Sequence, residues 1–323
     1  MISGLFIMLF LRATNFRDLS NALEEANYWW LFPAVAVLFV AVIVRCLRWS
    51  ILMKPLGDFS PWRLFPYAVI GYMANNLLPA RAGEVVRAYV TGERENVSRV
   101  GVLGTVAVER LFDGCVLVIM LLISGALVGF DDSRLQAIAI VSSVIFLAAL
   151  VAFYLLTKTE ERARRVIHQC LRILPERLES RAEGIADALV LSLRSVHSAR
   201  SMGAVAALTA IAWTIEAGSY AVLGQGFDLG VGFANYCLLL SAANLAIIVP
   251  TFFGGTGPFE WAAKLTLTGA GVGGSLAGAY SVVAHAVILV PTTILGLLIL
   301  WSFGLSFRRL SEARVAIHEE AAP

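Results

Sequence analysis

The chain is 323 residues long, 59% apolar and only 15% charged, with a mean hydropathy of +0.78; soluble domains are about 45–50% apolar and about 25% charged. That composition excludes a pair of ordinary soluble domains, and a net charge of +2 excludes DNA or RNA as a main partner. Cys46, Cys115, Cys170 and Cys237 are scattered, with no CxxC and no Cys/His cluster, so neither a disulfide framework nor a zinc site is indicated.

A membrane-crossing helix needs about 20 mostly apolar residues. The first apolar run, 2–11, is short and ends at Arg12. No small-residue cleavage site follows it, so it reads as a short first span rather than a signal peptide. Further spans are expected over 28–52, 101–130, 135–156, 202–224 and 276–303. The stretches 62–78 and 229–249 differ, because each runs into a proline- and glycine-containing segment that carries charge. Neither makes a convincing full crossing.

Basic residues set the orientation, since cytoplasmic loops are enriched in lysine and arginine. Nine lie within 157–200: Lys158, Arg162, Arg164, Arg165, Arg172, Arg177, Arg181, Arg194 and Arg200. Arg308, Arg309 and Arg314 follow the last span, Lys54 and Arg63 the second, and Arg81, Arg87, Arg94 and Arg99 precede Gly101. Placing all of these inside, with both termini, requires 62–78 to dip from the cytoplasm and 229–249 to dip from outside. The expected fold is therefore an all-α polytopic membrane protein of six transmembrane helices plus two re-entrant helical segments. Within 157–200, Ala163, Val166, Ile167, Cys170, Leu171 and Leu174 recur at helical spacing among arginines. Such a helix suits an anionic membrane surface or the protein's own cytoplasmic face.

The two dips share an order of residues. The first reads Asn75, Asn76, Pro79, Arg81, Gly83, Glu84; the second reads Asn244, Pro250, Gly254, Gly255, Gly257, Glu260. Glu84 and Glu109 are 25 apart, as are Glu260 and His285. Leu135–Leu156 is unpaired between the halves and inverts their orientation. Inverted repeats with broken helices belong to secondary transporters. The chain divides into a membrane-embedded domain over 1–310 and a cytoplasmic tail over 304–323. The domain holds repeat one (28–130), a linking span (135–156), cytoplasmic amphipathic helices (157–200) and repeat two (202–303).

Charge inside a membrane is costly and points to function. Asn75, Asn76, Arg81, Glu84 and Arg87 cluster around a helix break at Gly83, where backbone N–H groups would be free for an anion. Arginine's planar fork matches phosphate oxygens; Arg81 and Arg87 are otherwise interfacial anchors. Glu109 and Asp113 share one helix face, with Arg110 between them, and form either an internal ion pair or a route in which Arg110 holds a phosphate or Glu84. Glu260 and Lys264 are spaced for a salt bridge. Glu216 and His285 complete the intramembrane set. The Gly254-Gly255-Thr256-Gly257 run lacks the strand and the lysine of a nucleotide loop and reads as backbone freedom at a dip's tip. No GxSxG, HExxH, metal or P-loop motif is present, and no cofactor is called for.

Taken together, Arg48-Trp49, the run Gly71–Arg87 with Asn75-Asn76-Leu77-Leu78-Pro79-Ala80-Arg81-Ala82-Gly83-Glu84, then Val108-Glu109-Arg110-Leu111-Phe112-Asp113 and the late Pro250, Gly254, Gly255 and Glu260 resemble the lysylphosphatidylglycerol synthase transmembrane-region family. The likeness covers nearly the whole chain, and its first motif is long and specific. It implies a lipid-translocating domain without the soluble aminoacyl-transferase part of the bifunctional members. The expectation is a flippase or scramblase of a prokaryotic inner membrane that moves a phosphate-bearing lipid without ATP. Arg81, Arg87, Arg110, Asn75 and Asn76 would bind the phosphate. Glu84, Glu109, Asp113 and Glu260 would couple or line the path, with Gly83, Gly255, Lys264 and His285 beside it. Membrane lipids are the expected partners, with a soluble lipid-modifying enzyme as a further one. The rival readings are an intramembrane headgroup transferase or hydrolase with Glu84 or Glu260 as base, and a scaffold that docks a soluble synthase through 157–200.

Overall fold

A computed structural model of the chain describes residues 16–78, 82–129, 132–158, 198–247 and 253–305. The expected first span, Arg81, Pro250, most of the basic stretch 157–200 and the tail beyond 305 lie outside the described residues. The elements are α1 (Phe16–Glu25), a 3-10 turn (Tyr28–Trp30), α2 (Leu31–Leu52), α3 (Pro61–Leu77), α4 (Gly83–Glu95), α5 (Arg99–Val128), α6 (Ser133–Lys158), α7 (Ala199–Gln225), α8 (Phe233–Ala246), a second 3-10 turn (Phe253–Gly255), α9 (Pro258–Gly269) and α10 (Gly274–Ser302). Among the described residues all regular structure is helical. Among the described residues five segments are long and apolar enough to cross a membrane: Tyr28–Leu52, Arg99–Val128, Ser133–Val151, Arg200–Gln225 and Gly274–Ser302. They coincide closely with the five spans expected after the first. Serine starts three elements: Ser60, Ser98 and Ser198 each accept a hydrogen bond from the N–H three residues on, as N-caps do.

The order long helix, broken pair, long helix occurs twice, with α6 between. The two leading helices, α2 and α7, pack side by side. Asn27 N–H donates to the Gly226 carbonyl (2.8 Å), and the Ser219 hydroxyl donates to the Ala34 carbonyl (2.7 Å). Thr209 meets Arg48 further along, so the pair is antiparallel. Ala34, Ala41, Ala212, Ala217 and Ser219 are fully buried; small residues let helices approach closely where lipid offers no hydrophobic drive to pack. Other contacts between the halves' own helices pair off likewise. As α3 packs on α10, α8 packs on α5; as α4 packs on α5, α9 packs on α10.

In the first broken pair the start of α3 and the end of α4 lie together. Arg63 pairs with Glu95 (2.6 Å), and the Tyr67 hydroxyl donates to the same carboxylate (2.6 Å). The chain thus runs inward along α3 and returns along α4 to the same end. At the opposite end α1 lays Leu19, Ala22 and Leu23 on a cluster containing Phe227 and Tyr280. A cleft of about 660 Å³ there carries Asp18, Glu25 and Asp228. Outward-facing Ile123, Leu127, Val144, Leu147, Ile294 and Leu298 are exposed, the face a membrane helix turns to lipid. Gly114 on α5 receives α6: a Cβ there would lie 1.6 Å from Phe146.

Candidate functional site

Arg48, fully buried on α2, is the centre of the polar interior. Its Nη2 donates to Glu109 (2.5 Å), and its Nη1 donates to Asp113 (2.5 Å) and to Thr209 (2.9 Å). Glu109 accepts a second bond from Arg87 Nη1 (2.8 Å), and Asp113 a second from Trp213 Nε1 (3.1 Å). Arg87 lies over Trp49, its Cζ 3.4 Å from the ring centroid, while Trp49 Nε1 donates to Thr105 (3.0 Å). Four helices, α2, α4, α5 and α7, are thereby tied through charge-assisted hydrogen bonds. One turn away on α2, Arg45 pairs with Glu216 (2.5 Å) and covers Trp213. Arg110 reaches Glu84 (3.3 Å) and Asp113 (3.5 Å). Four arginines thus face four carboxylates in one network.

Beside this network is a cavity of about 170 Å³, bordered by Arg45, Arg110, Asp113 and Glu216, by Asn75 and Asn76 of α3, by Asn244 of α8, and by Tyr72 and Thr292. Arg110 is the cation of the set that opens outward, with 37% of its side chain exposed against 9% or less for Arg45, Arg48 and Arg87. The buried Tyr72 hydroxyl has no hydrogen-bond partner among the described residues.

Both breaks are braced by a polar side chain, in different ways. At the first, Gly83 N–H donates to Asn75 Oδ1 (2.9 Å), so the N–H of Gly83 is not free for an anion as expected. At Gly83 α4 also approaches α3 closely, since a Cβ there would stand 2.1 Å from the Gly71 carbonyl oxygen. Asn76 donates to the Leu289 carbonyl and to the Thr292 and Thr293 hydroxyls (3.3, 3.2 and 2.9 Å), pinning this tip to α10. At the second break Glu260 accepts from Gly257 N–H (2.7 Å) and bonds His285 Nδ1 (2.6 Å), whose Nε2 lies 3.3 Å from the Gly254 carbonyl. Gly254, Gly255 and Gly257 all take positive φ, the region glycine enters without penalty. A Cβ on Gly254 would come 3.4 Å from Asn76 Oδ1, so the two tips meet.

The geometry brings Asn75, Asn76, Arg110 and Asp113 together at the cavity, with Glu84 joined through Arg110. Arg87 and Glu109 belong to the buried network behind it. Glu260, His285 and Gly255 form the other tip; the expected Glu260–Lys264 salt bridge gives way to Glu260–His285, and Lys264 is buried one turn along α9. Arg81 is outside the described residues. Sequence reasoning passed over Arg45 and used Arg48 only as a motif residue, although two arginines three apart inside an apolar span are the kind of signal that intramembrane charge gives. Among the described residues no group of three His, Cys, Asp or Glu side chains is placed to hold a metal.

Comparison with known proteins adds to this geometry. The family model described as "Lysylphosphatidylglycerol synthase TM region" matches residues 1–296. Two proteins named UPF0104 membrane protein, both of Methanothermobacter thermautotrophicus, are 24% identical over 90% of this chain and 90% of their own, and 26% identical over 83% and 82%. A protein named Glycosyltransferase AglD, of Haloferax volcanii, is 27% identical over 68% of this chain and 40% of its own length.

Proposed function

The chain belongs to the lysylphosphatidylglycerol synthase TM-region family, and from that premise we propose that this multi-span membrane protein is a flippase or scramblase of a prokaryotic inner membrane. Its cargo in this reading is a phosphate-bearing lipid: a phospholipid, an aminoacyl-phospholipid or a polyprenyl-phosphate-linked lipid. The observation that carries the reading is the cavity at the meeting of the two broken segments. There a half-exposed arginine and three carboxamides face a space of headgroup size inside a bundle whose outer surface is apolar. Arg110 takes the phosphate with the amide hydrogens of Asn75, which make no bond among the described residues, Tyr72 adds a donor, and Glu84 holds Arg110 between visits. Arg81, Arg87 and Glu109 belong to this reading as flanking charge.

The inverted repeat is part of the proposal. It is supported by the antiparallel α2–α7 pair and by the matched contacts of the two halves. A further parallel is that each break carries a carboxylate bonded to a base on the following long helix, Glu84 to Arg110 and Glu260 to His285. With both termini cytoplasmic, the α3–α4 pair opens inward and the α8–α9 pair outward, as alternating access requires. AglD carries further chain beyond the matching portion, which supports a separate lipid-modifying protein as a partner of this one.

Proteoliposomes made with native lipid extract test this. Arg110→Ala and Glu84→Gln are expected to slow transbilayer redistribution at least about tenfold, an effect of about 1.4 kcal/mol. Both should elute and melt as wild type does, since each lies at the exposed edge of the network. Redistribution that persists unchanged in Arg110→Ala removes the phosphate site. A new lipid species appearing with time replaces transport by headgroup chemistry, and neither effect, with a soluble protein co-purifying, leaves a scaffold.

A further inference from the structure

His285 faces a hydrogen-bond acceptor from each ring nitrogen. Nδ1 is 2.6 Å from a Glu260 carboxylate oxygen, and Nε2 is 3.3 Å from the Gly254 carbonyl. A carbonyl never donates, so Nε2 must carry hydrogen for that bond to exist. The Nδ1–Glu260 contact needs one more proton, on the imidazole or on the carboxylate. Glu260's other oxygen already accepts from Gly257 N–H, which favours the ionised carboxylate and therefore an imidazolium. Phe259 stacks on the ring at 4.3 Å between centroids and holds its plane. Resting on the transport reading above, we infer that the Glu260–His285 pair is a proton-binding site whose occupancy holds the second tip against Asn76, on the border of the cavity.

The coupling follows from counting hydrogens. When the pair loses its proton, His285 keeps one N–H. The charged Glu260 oxygen at 2.6 Å claims it, because a bond to an ionised acceptor is about twice as strong as a neutral one. The Nε2 lone pair then faces the Gly254 carbonyl oxygen and repels it. Gly254 is the residue that rests on Asn76 and Leu289, and it and two neighbours, Gly255 and Gly257, take positive φ, which gives the link room to move. His285 and Glu260 are 4% and 9% exposed, so proton exchange itself requires the tip to lift. Proton release and separation of the two tips become one event.

The other ionisable groups around α10 stand further off. From α9, Lys264 lies one turn beyond Glu260. From α2 and α7, Arg45 and Glu216 border the cavity where α10 contributes Ile288 and Thr292, and Tyr72 does so from α3. From α7, Tyr220 touches Phe259, and from α1, Asp18 and Glu25 stand beside Leu276 at the end of the bundle. Among the described residues the hydrogen bonds of the His285 ring go to Glu260 and Gly254.

Two measurements test the inference. In protein labelled with 15N-histidine in lipid bilayers, His285, assigned by the signal missing in His285→Gln, should show both nitrogens protonated under the conditions where redistribution is slow; a neutral imidazole there overturns the proton site. In proteoliposomes, wild-type redistribution should rise with pH, up to about tenfold per unit where proton loss limits the rate. His285→Arg keeps two donors with a charge that does not titrate, so it should fold and lose this response. A pH response retained in His285→Arg, or a wild-type rate indifferent to pH, ends the coupling claim and leaves lipid movement standing. If no lipid moves at any pH, the transport reading fails by itself, while the NMR result still decides the proton site.

Discussion

Arg48→Ala is expected to yield no monodisperse protein, or one melting far below wild type. The arginine is fully buried and bonds Glu109, Asp113 and Thr209 at once. Its removal leaves two carboxylates on one face of α5. Glu109 keeps Arg87, and Asp113 keeps Trp213 and a distant Arg110. Breaking a buried pair by deleting one partner costs about 3–5 kcal/mol, far more than the intact pair contributes against an apolar replacement. Arg48→Lys should recover only part of the loss, because one ammonium does not reproduce a fork whose two arms serve different carboxylates. The measurement is detergent-solution melting followed by size-exclusion elution. An Arg48→Ala protein within about 1.5 °C of wild type, the shift of about 1 kcal/mol in a chain of this size, would show that the network contributes little to holding α2, α5 and α7 together.

Gly83→Ala carries the second large effect. The added carbon would stand 2.1 Å from the Gly71 carbonyl oxygen and 2.5 Å from the Asn75 nitrogen. Both are backbone atoms that cannot rotate away, so α4 must withdraw from α3. Withdrawal breaks the Gly83–Asn75 bond and shifts Glu84, the partner of Arg110. Overpacking costs about 1–3 kcal/mol, occasionally more, and the displaced break should also abolish lipid redistribution. Gly203→Ala is the control. It sits in α7 with no atom within 4 Å of the new carbon, and alanine in a helix is worth roughly 0.5–1 kcal/mol over glycine. Equal behaviour of the two variants would contradict a tight α3–α4 crossing.

The helical architecture was legible because its cause is local. Twenty-odd apolar residues make α5 or α10 recognisable from the chain alone, and the prolines and glycines after Asn76 and Asn244 mark two helices that stop short. Partnership was less legible, because it depends on which helix docks where. Nothing in the spacing of Arg45 indicates Glu216, which becomes its neighbour only once α2 and α7 lie antiparallel. Glu260 shows the same limit: Lys264, four residues on, is the partner that helix geometry offers, but the glycine-rich turn delivers the carboxylate to His285 instead. At Gly83 the signal was read correctly as a break, yet the N–H it frees is taken by Asn75, eight residues earlier, a bond that only the folded hairpin brings into range.

The equal numbers of cations and anions in the central network have an electrical consequence. A membrane potential does work on net charge, about 2.3 kcal/mol per elementary charge for each 100 mV. Arg45, Arg48, Arg87 and Arg110 against Glu84, Glu109, Asp113 and Glu216 sum to zero, so a conformational change that carries this network as a body moves no charge through the field. Voltage therefore does no net work on this network itself. Current measured during turnover reports the charge of the lipid and of any proton that accompanies it.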